Sequence, residues 1–90
     1  SQKIVIVHGT DTMPETAKML GHAALGKTIV LTGAMIPYEF DDSDAFFNFG
    51  FAVAAAGLLS CGVYISMNGR VFEWDRVRKN RQEGRFEETE

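Results

Sequence analysis

Short β-branched runs separated by helix-length segments mark these 90 residues as an α/β chain. The expected architecture is a Rossmann-like three-layer fold: a mainly parallel sheet, helices on both faces and one C-terminal β-hairpin. Three observations carry this. The runs Ile4–Val7, Thr28–Thr32 and Val63–Ser66 are continuously apolar at their centres, as buried parallel strands are. The segments between them suit crossover helices, and alternating β and α elements with short links imply right-handed crossovers between parallel neighbours. Asn68-Gly69 is a strong two-residue hairpin signal, so Arg70–Glu73 is expected to return antiparallel.

Each element has local support. Ile4–Val7 opens the sheet. Pro14 suits the first turn of a helix, where its missing N–H is not needed. Thr12 is a fitting N-cap, and Glu15 lies near the positive end of the helix dipole. Ala17, Leu20 and Ala24 share roughly one face, and Gly26 ends the helix. Thr28–Thr32 follows as the second strand. Gly33–Asp42 is a loop, with Pro37 and Asp41-Asp42 fitting a solvated connection. Ser43 is the expected N-cap of a second helix, Asp44–Leu59, with Asp44 in its first turn.

That second helix carries apolar side chains around its whole circumference, which predicts burial on most sides. Gly50 and Gly57 cost helix propensity and suit the close approach of a neighbouring element. A chain this short has little with which to cover such a helix, so a homo-oligomer is expected. Val63–Ser66 and the hairpin complete the domain, taken as residues 1–81. Residues 82–90 are polar and mixed in charge and are expected to be a flexible tail.

Ninety residues make one domain, which buries roughly 60–65% of its unfolded surface. The net charge of −3 gives no reason to expect nucleic acid or an anionic membrane as partner. The apolar stretch Ala45–Leu59 falls short of a membrane span. The N-terminus runs straight into a strand, without a secretory signal pattern. The single cysteine, Cys61, precludes an intrachain disulfide and suits a reducing, cytoplasmic setting; a small buried hydrophobe is its expected role. His8 and His22 have no ligand spacing, so no metal is expected. There is no phosphate-loop or dinucleotide fingerprint, so no cofactor is expected either. Trp74 and Tyr64 fit core or hairpin packing.

The chemistry concentrates in His8-Gly9-Thr10-Asp11-Thr12-Met13, directly after the first strand. Two hydroxyls, a carboxylate and an imidazole in one turn sit at the C-terminal end of a strand, where open α/β sheets bind ligands. On residue type alone two readings stand: a polar site, or residues that only cap the helix starting at Pro14. Lys79 likewise lies in a basic run that fits a solvated surface; six of the nine basic residues fall between Arg70 and Arg85.

His-Gly-Thr-Asp-Thr-Met after a strand resembles a signature of the bacterial-type L-asparaginase family. Thr28-Ile29-Val30-Leu31-Thr32-Gly33-Ala34-Met35-Ile36-Pro37 is similar to the family's next strand and turn. Ser43-Asp44-Ala45 with Asn48 resembles the opening of its next helix, with Ala45 where glycine is usual. Val63-Tyr64-Ile65-Ser66-Met67-Asn68 is similar to the following strand. Asp75-Arg76-Val77-Arg78-Lys79-Asn80 is similar to the segment carrying the family's catalytic lysine. The resemblance runs from Lys3 to Asn80 and covers the second half of the family's N-terminal domain.

The resemblance implies an amidohydrolase that converts L-asparagine to aspartate and ammonia. It implies that Thr10, Asp11 and Lys79 form a hydrogen-bonded triad, in which Thr10 helps to activate the attacking group or a water. By the same resemblance Asp11 binds the substrate's α-amino group, and the backbone near Ala34 lines the amide pocket. The family's nucleophile lies in a Thr-Gly-Gly-Thr-Ile segment that these ninety residues do not contain. The expectation is therefore a truncated form of weak or no activity on its own. The alternative is a non-catalytic oligomerisation or amino-acid-binding module, with asparagine or aspartate as ligand.

Overall fold

The computed structural model describes residues 2–23, 26–36 and 43–89. Among them the chain runs β1 (Lys3–Val7), α1 (Met13–Ala23), β2 (Thr28–Thr32), α2 (Ala45–Leu58), β3 (Gly62–Met67), β4 (Arg70–Glu73), β5 (Val77–Asn80) and β6 (Arg85–Glu88). Strands β1 to β4 lie side by side in sequence order in one sheet; β5 and β6 form a separate ribbon. β1 pairs parallel with β2, and β2 with β3, with Ile29 opposite Val63 and Ile4 opposite Ile29. β4 returns antiparallel after Asn68-Gly69, where both residues adopt positive φ (51° and 80°) as the tight turn requires. The expected α/β architecture is thus observed. Ala24, Pro37 and Asp41-Asp42, and with them most of the expected loop, lie outside the described residues.

The period-two alternation of the strands sorts the core into two layers. On one face Ile29, Leu31, Val63 and Ile65 pack against Met13 and Ala17 of α1, with Phe72, Val77 and Phe86 closing the cluster. On the other, Val30 packs against Ala52 and Ala56 of α2. The helices therefore cover opposite faces.

This corrects one expectation. β1, β2 and β3 advance in one direction across the sheet, so two right-handed crossovers would place both helices on one face. Helices on opposite faces mean that the two connections have opposite hands. The reason is packing: the residues from β4 to β6 complete a core only on the α1 face.

Other expectations change as well. β1 is an edge strand and only half buried. The α2 surface is not buried on most sides. A stripe of Asn48, Ala52 and Ala56 faces the sheet, because small side chains let the helix approach, while Phe47, Phe49, Val53 and Leu58 are exposed. Gly50 and Gly57 admit no close neighbour; an added Cβ would meet nothing within 4 Å. Cys61 is exposed rather than buried, because it stands in the bend before β3. Trp74 does pack, and its ring lies so close over Gly21 that a Cβ there would come within 2.2 Å of it.

The polar segment at the C-terminus also differs from expectation. Arg85–Glu88 forms β6 against β5 because one apolar side chain, Phe86, is inserted into the α1 core. The Phe86 position lies opposite Lys79.

Candidate functional site

β1 and β2 are neighbours, and the chain leaves them towards opposite faces. Such a divergence opens a crevice at the C-terminal strand ends, which is where α/β sheets place ligands. The turn after β1 carries His8 to Thr12, and the turn after β2 carries Gly33 to Ile36. The two turns are locked together. The His8 amide donates to the Thr32 carbonyl (2.8 Å), and a Cβ on Gly33 would lie 2.3 Å from the His8 carbonyl oxygen. Only glycine fits there. His8 itself is engaged locally: Nδ1 lies 2.7 Å from the Gly9 carbonyl and Nε2 3.0 Å from the Thr16 hydroxyl. Since a carbonyl only accepts, Nδ1 carries a proton directed at Gly9.

The second wall is the β5–β6 ribbon. Alternation along β5 puts Val77 and Lys79 on the same side, and Val77 and Phe86 anchor that side in the core. Lys79 is carried to the turn after β1. Its ammonium donates to the Thr10 hydroxyl at 2.9 Å and to Asp11 Oδ1 at 2.6 Å. The Lys79 side chain is 13% exposed and that of Asp11 71%. Asp11 therefore presents its carboxylate to solvent while Lys79 holds it from behind. Arg81 approaches the same residue, with Nη1 3.5 Å from Oδ1 and Nη2 3.3 Å from the Asp11 carbonyl. The Asp11 carboxyl is held below its ordinary value of 3.8, first by the hydrogen bond and charge of Lys79, then by the charge of Arg81.

A buried polar network fixes the turn that contains Ala34. Asp44 stands at the N-terminus of α2 but does not cap it. Its carboxylate instead accepts from the amides of Met35 and Ile36, both at 3.1 Å, and from the side chains of Asn48 (2.9 Å) and Asn68 (3.1 Å). Ser43, the expected N-cap, accepts from the Ala45 amide at 3.2 Å and donates to the Ile36 carbonyl. Burial pushes the Asp44 carboxyl up, but these four donors outweigh it and hold the group below 3.8. Asn48, fully buried, donates to the Gly33 carbonyl (2.8 Å) and accepts from the Asn68 amide (2.9 Å). One polar residue on an apolar helix thus ties the β2 turn to the β3–β4 hairpin.

Of the residues singled out in the sequence, Thr10, Asp11 and Lys79 meet, and Ala34 stands in the adjoining turn. Sequence reasoning missed Arg81, absorbed into a basic run. It stands two residues beyond Lys79, in the turn just after β5. Among the described residues no group of three or more His, Cys, Asp or Glu is placed to hold a metal ion. Among them, too, no helix is long and apolar enough to cross a membrane.

Residues 2–86 match the family model described as asparaginase, N-terminal. The chain is 41% identical over 87 residues to a glutamyl-tRNA(Gln) amidotransferase component of Methanococcus maripaludis, covering 88% of this chain and 21% of that protein. It is 43% identical over 72 residues to the glutaminase-asparaginase of Pseudomonas aeruginosa, covering 76% and 20% respectively. Among solved structures, the thermostable L-asparaginase from Thermococcus kodakarensis superposes with a TM-score of 0.87 at 31% identity, over 96% of this chain and 27% of that one. The probable cytoplasmic L-asparaginase from Campylobacter jejuni gives 0.78 at 35% identity, over 86% and 26%. The chain spans about a fifth of the length of the relatives it matches.

Proposed function

The chain belongs to the asparaginase family, within the N-terminal domain, and from that membership we propose that it carries the proton-handling and amino-group-binding side of an amide-hydrolysing site. The observation that supports this best is the Lys79 ammonium bridging Thr10 and Asp11. A threonine hydroxyl is a weak base and nucleophile until a basic neighbour takes its proton. Once the Lys79 ammonium has given a proton to solvent, its amine would accept the Thr10 proton while Thr10 takes one from an attacking water. The hydroxide then adds to the side-chain carboxamide, and the proton leaves with ammonia. Asp11, exposed and ionised, would receive the substrate's α-ammonium. The turn at Ala34, held by Asp44 and Asn48, would line the amide pocket.

The substrate class is an α-amino acid with a side-chain amide, asparagine or its product aspartate. The nucleophile segment of the family is not among these ninety residues. We therefore read these residues as the activating half of the site. Self-association through α2 belongs to the same reading, because Phe47, Phe49, Val53 and Leu58 form an exposed apolar surface on one helix. The single cysteine fits a cytoplasmic setting.

The test is ligand binding followed by turnover. Nuclear magnetic resonance titration with aspartate should shift the Thr10, Asp11 and Lys79 signals in the wild type and leave them unmoved in an Asp11→Asn variant. Equal shifts in both would defeat the assignment of Asp11.

A further inference from the structure

We propose that the cleft at the N-terminal ends of β2 and β3 is a second ligand site, which takes a small aromatic monocarboxylate. It lies at the opposite end of the strands from Thr10 and Asp11 and shares no residue with that site. Its volume is about 280 Å³, close to the roughly 300 Å³ at which ligand pockets begin. Ile29 and Val63, paired across β2 and β3, supply apolar lining from the face that α1 covers, and Trp74 adds an aromatic wall. The Trp74 indole is held in place. It lies so close over Gly21 that a Cβ there would come within 2.2 Å of it, and the His22 ring crosses it at 63° with ring centres 4.9 Å apart. The rim is fixed as well: the Gly62 amide donates to the Lys27 carbonyl at 2.9 Å, and the Cys61 thiol to the Gly26 carbonyl at 3.4 Å.

The charged member of the lining is Lys27, which is half-buried. Among the described residues no carboxylate pairs with it, and none lines the cleft. A partly desolvated cation beside an apolar wall is stabilised by an anion that brings its own apolar body. An aromatic ring would pack against the Trp74 indole in an offset or edge contact. Its carboxylate would accept a charge-assisted hydrogen bond from the Lys27 ammonium. A phosphate fits less well. The Gly62 amide is already engaged, so the cleft offers one cation and not a cradle of amides.

Trp74 and Cys61 are the sole tryptophan and the sole cysteine, and both border the cleft, so it carries two reporters of its own. The experiment titrates the intact chain with benzoate, benzamide and benzylamine. It follows the Trp74 indole N–H resonance and the rate at which iodoacetamide alkylates Cys61. Benzoate should move the resonance and slow the alkylation; neutral benzamide should bind more weakly, and cationic benzylamine most weakly. In Lys27→Met the dissociation constant for benzoate should rise about tenfold, as expected for loss of a charge-assisted contact, and that for benzamide should not change. Lys27→Arg should retain benzoate. Cys61→Phe sets a ring at the rim, leaves the Lys27 charge in place and should abolish the resonance shift. No response of the wild type to benzoate overturns the proposal. So does equal benzoate affinity in wild type and Lys27→Met, or a moved resonance with alkylation unslowed, which would put the ligand outside the cleft. Unchanged circular dichroism verifies the fold of each variant. Should Lys27→Met not fold, the order of the three ligands on the wild type decides: benzylamine bound as tightly as benzoate overturns the proposal.

Discussion

The Lys79 ammonium donates to the Thr10 hydroxyl at 2.9 Å although 69 positions separate the two residues. Two elements produce the meeting. The β1 strand ends where the chain turns towards α1, and the β5–β6 ribbon is pinned to the α1 core by Val77 and Phe86. Lys79→Met keeps the stem of the side chain and removes the charge. Thr10 and Asp11 then lose their shared donor, and the Asp11 carboxyl should rise towards 3.8. The sign for stability follows from the lowered value. The Lys79–Asp11 contribution is fully present above the ordinary carboxylate value and fades as pH falls through the lower folded value. Titration of the Asp11 carboxylate carbon should show the wild-type midpoint below that of Lys79→Met; coincident midpoints would rule out the coupling.

Asp44 should be a stability residue of the site. Asp44→Ala removes the acceptor of four hydrogen bonds, from the Met35 and Ile36 amides and from Asn48 and Asn68. Hydrogen bonds to a charged partner contribute about 1.5–3 kcal/mol each, and the donors left behind recover part of that from water. A net loss of roughly 2–3 kcal/mol is expected, which lowers the melting midpoint by roughly 10–20 °C for a domain of this size. The loss should shrink in acid, because a depressed carboxyl stabilises only above its folded value. Calorimetry at neutral and acid pH checks both the size and the trend.

Glycines offer a paired test of the packing. Gly33→Ala drives a Cβ to 2.3 Å from the His8 carbonyl oxygen, and backbone on both sides resists relaxation. It should cost on the order of 3 kcal/mol and loosen the junction of the two site turns. Gly50→Ala, on an open face of α2, meets nothing within 4 Å. It should stabilise by about 0.5–1 kcal/mol through helix propensity. Chemical denaturation of the two variants should move in opposite directions.

Much of this was legible in the sequence because it follows from local rules. Uninterrupted apolar runs read as buried parallel strands, Asn68-Gly69 as a hairpin, and Thr10 with Asp11 as a strand-end turn. What was not legible depended on long-range packing. The hand of the crossovers was set by where Phe72, Val77 and Phe86 complete a core. β6 was hidden because a single Phe86 among charged residues outweighs their polarity once it is inserted. Asp44 looked like a first-turn acid, and Ser43 like the cap. In the fold, the free amides of the β2 turn compete for the Asp44 carboxylate and take it. Arg81 was obscured by its basic neighbours, and only the meeting with Asp11 sets it apart.

The apolar face of α2 should drive self-association. Phe49 and Val53 lie one turn apart and are both about half exposed, and Leu58 is 89% exposed further along. Exposed apolar side chains of this size cost free energy in water and gain by burial at about 25 cal/mol per Å². Sedimentation at micromolar concentration should give a mass above the 10.0 kDa of the single chain. The double variant Phe49→Gln, Val53→Gln should return it to that mass with its circular dichroism unchanged. A wild type that already sediments as a single chain would count against the surface.

A polypeptide of these ninety residues should bind an amino-acid ligand weakly and hydrolyse asparagine very slowly or not at all. Acyl transfer needs a nucleophile, a group to activate it and donors aimed at the developing oxyanion. On the reading proposed above, Thr10 and Lys79 would supply activation, and Asp11 a contact to the ammonium. That contact is an ion pair and needs no nucleophile, so binding survives where turnover does not. Ammonia release should therefore stay near background, far below the roughly 10 s⁻¹ common among enzymes, whether or not Thr10 is replaced by alanine. Turnover at ordinary enzyme rates that disappears in Thr10→Ala would reverse the assignment. It would make Thr10 the attacking group rather than the relay, with Lys79, 2.9 Å away, as the base that takes its proton.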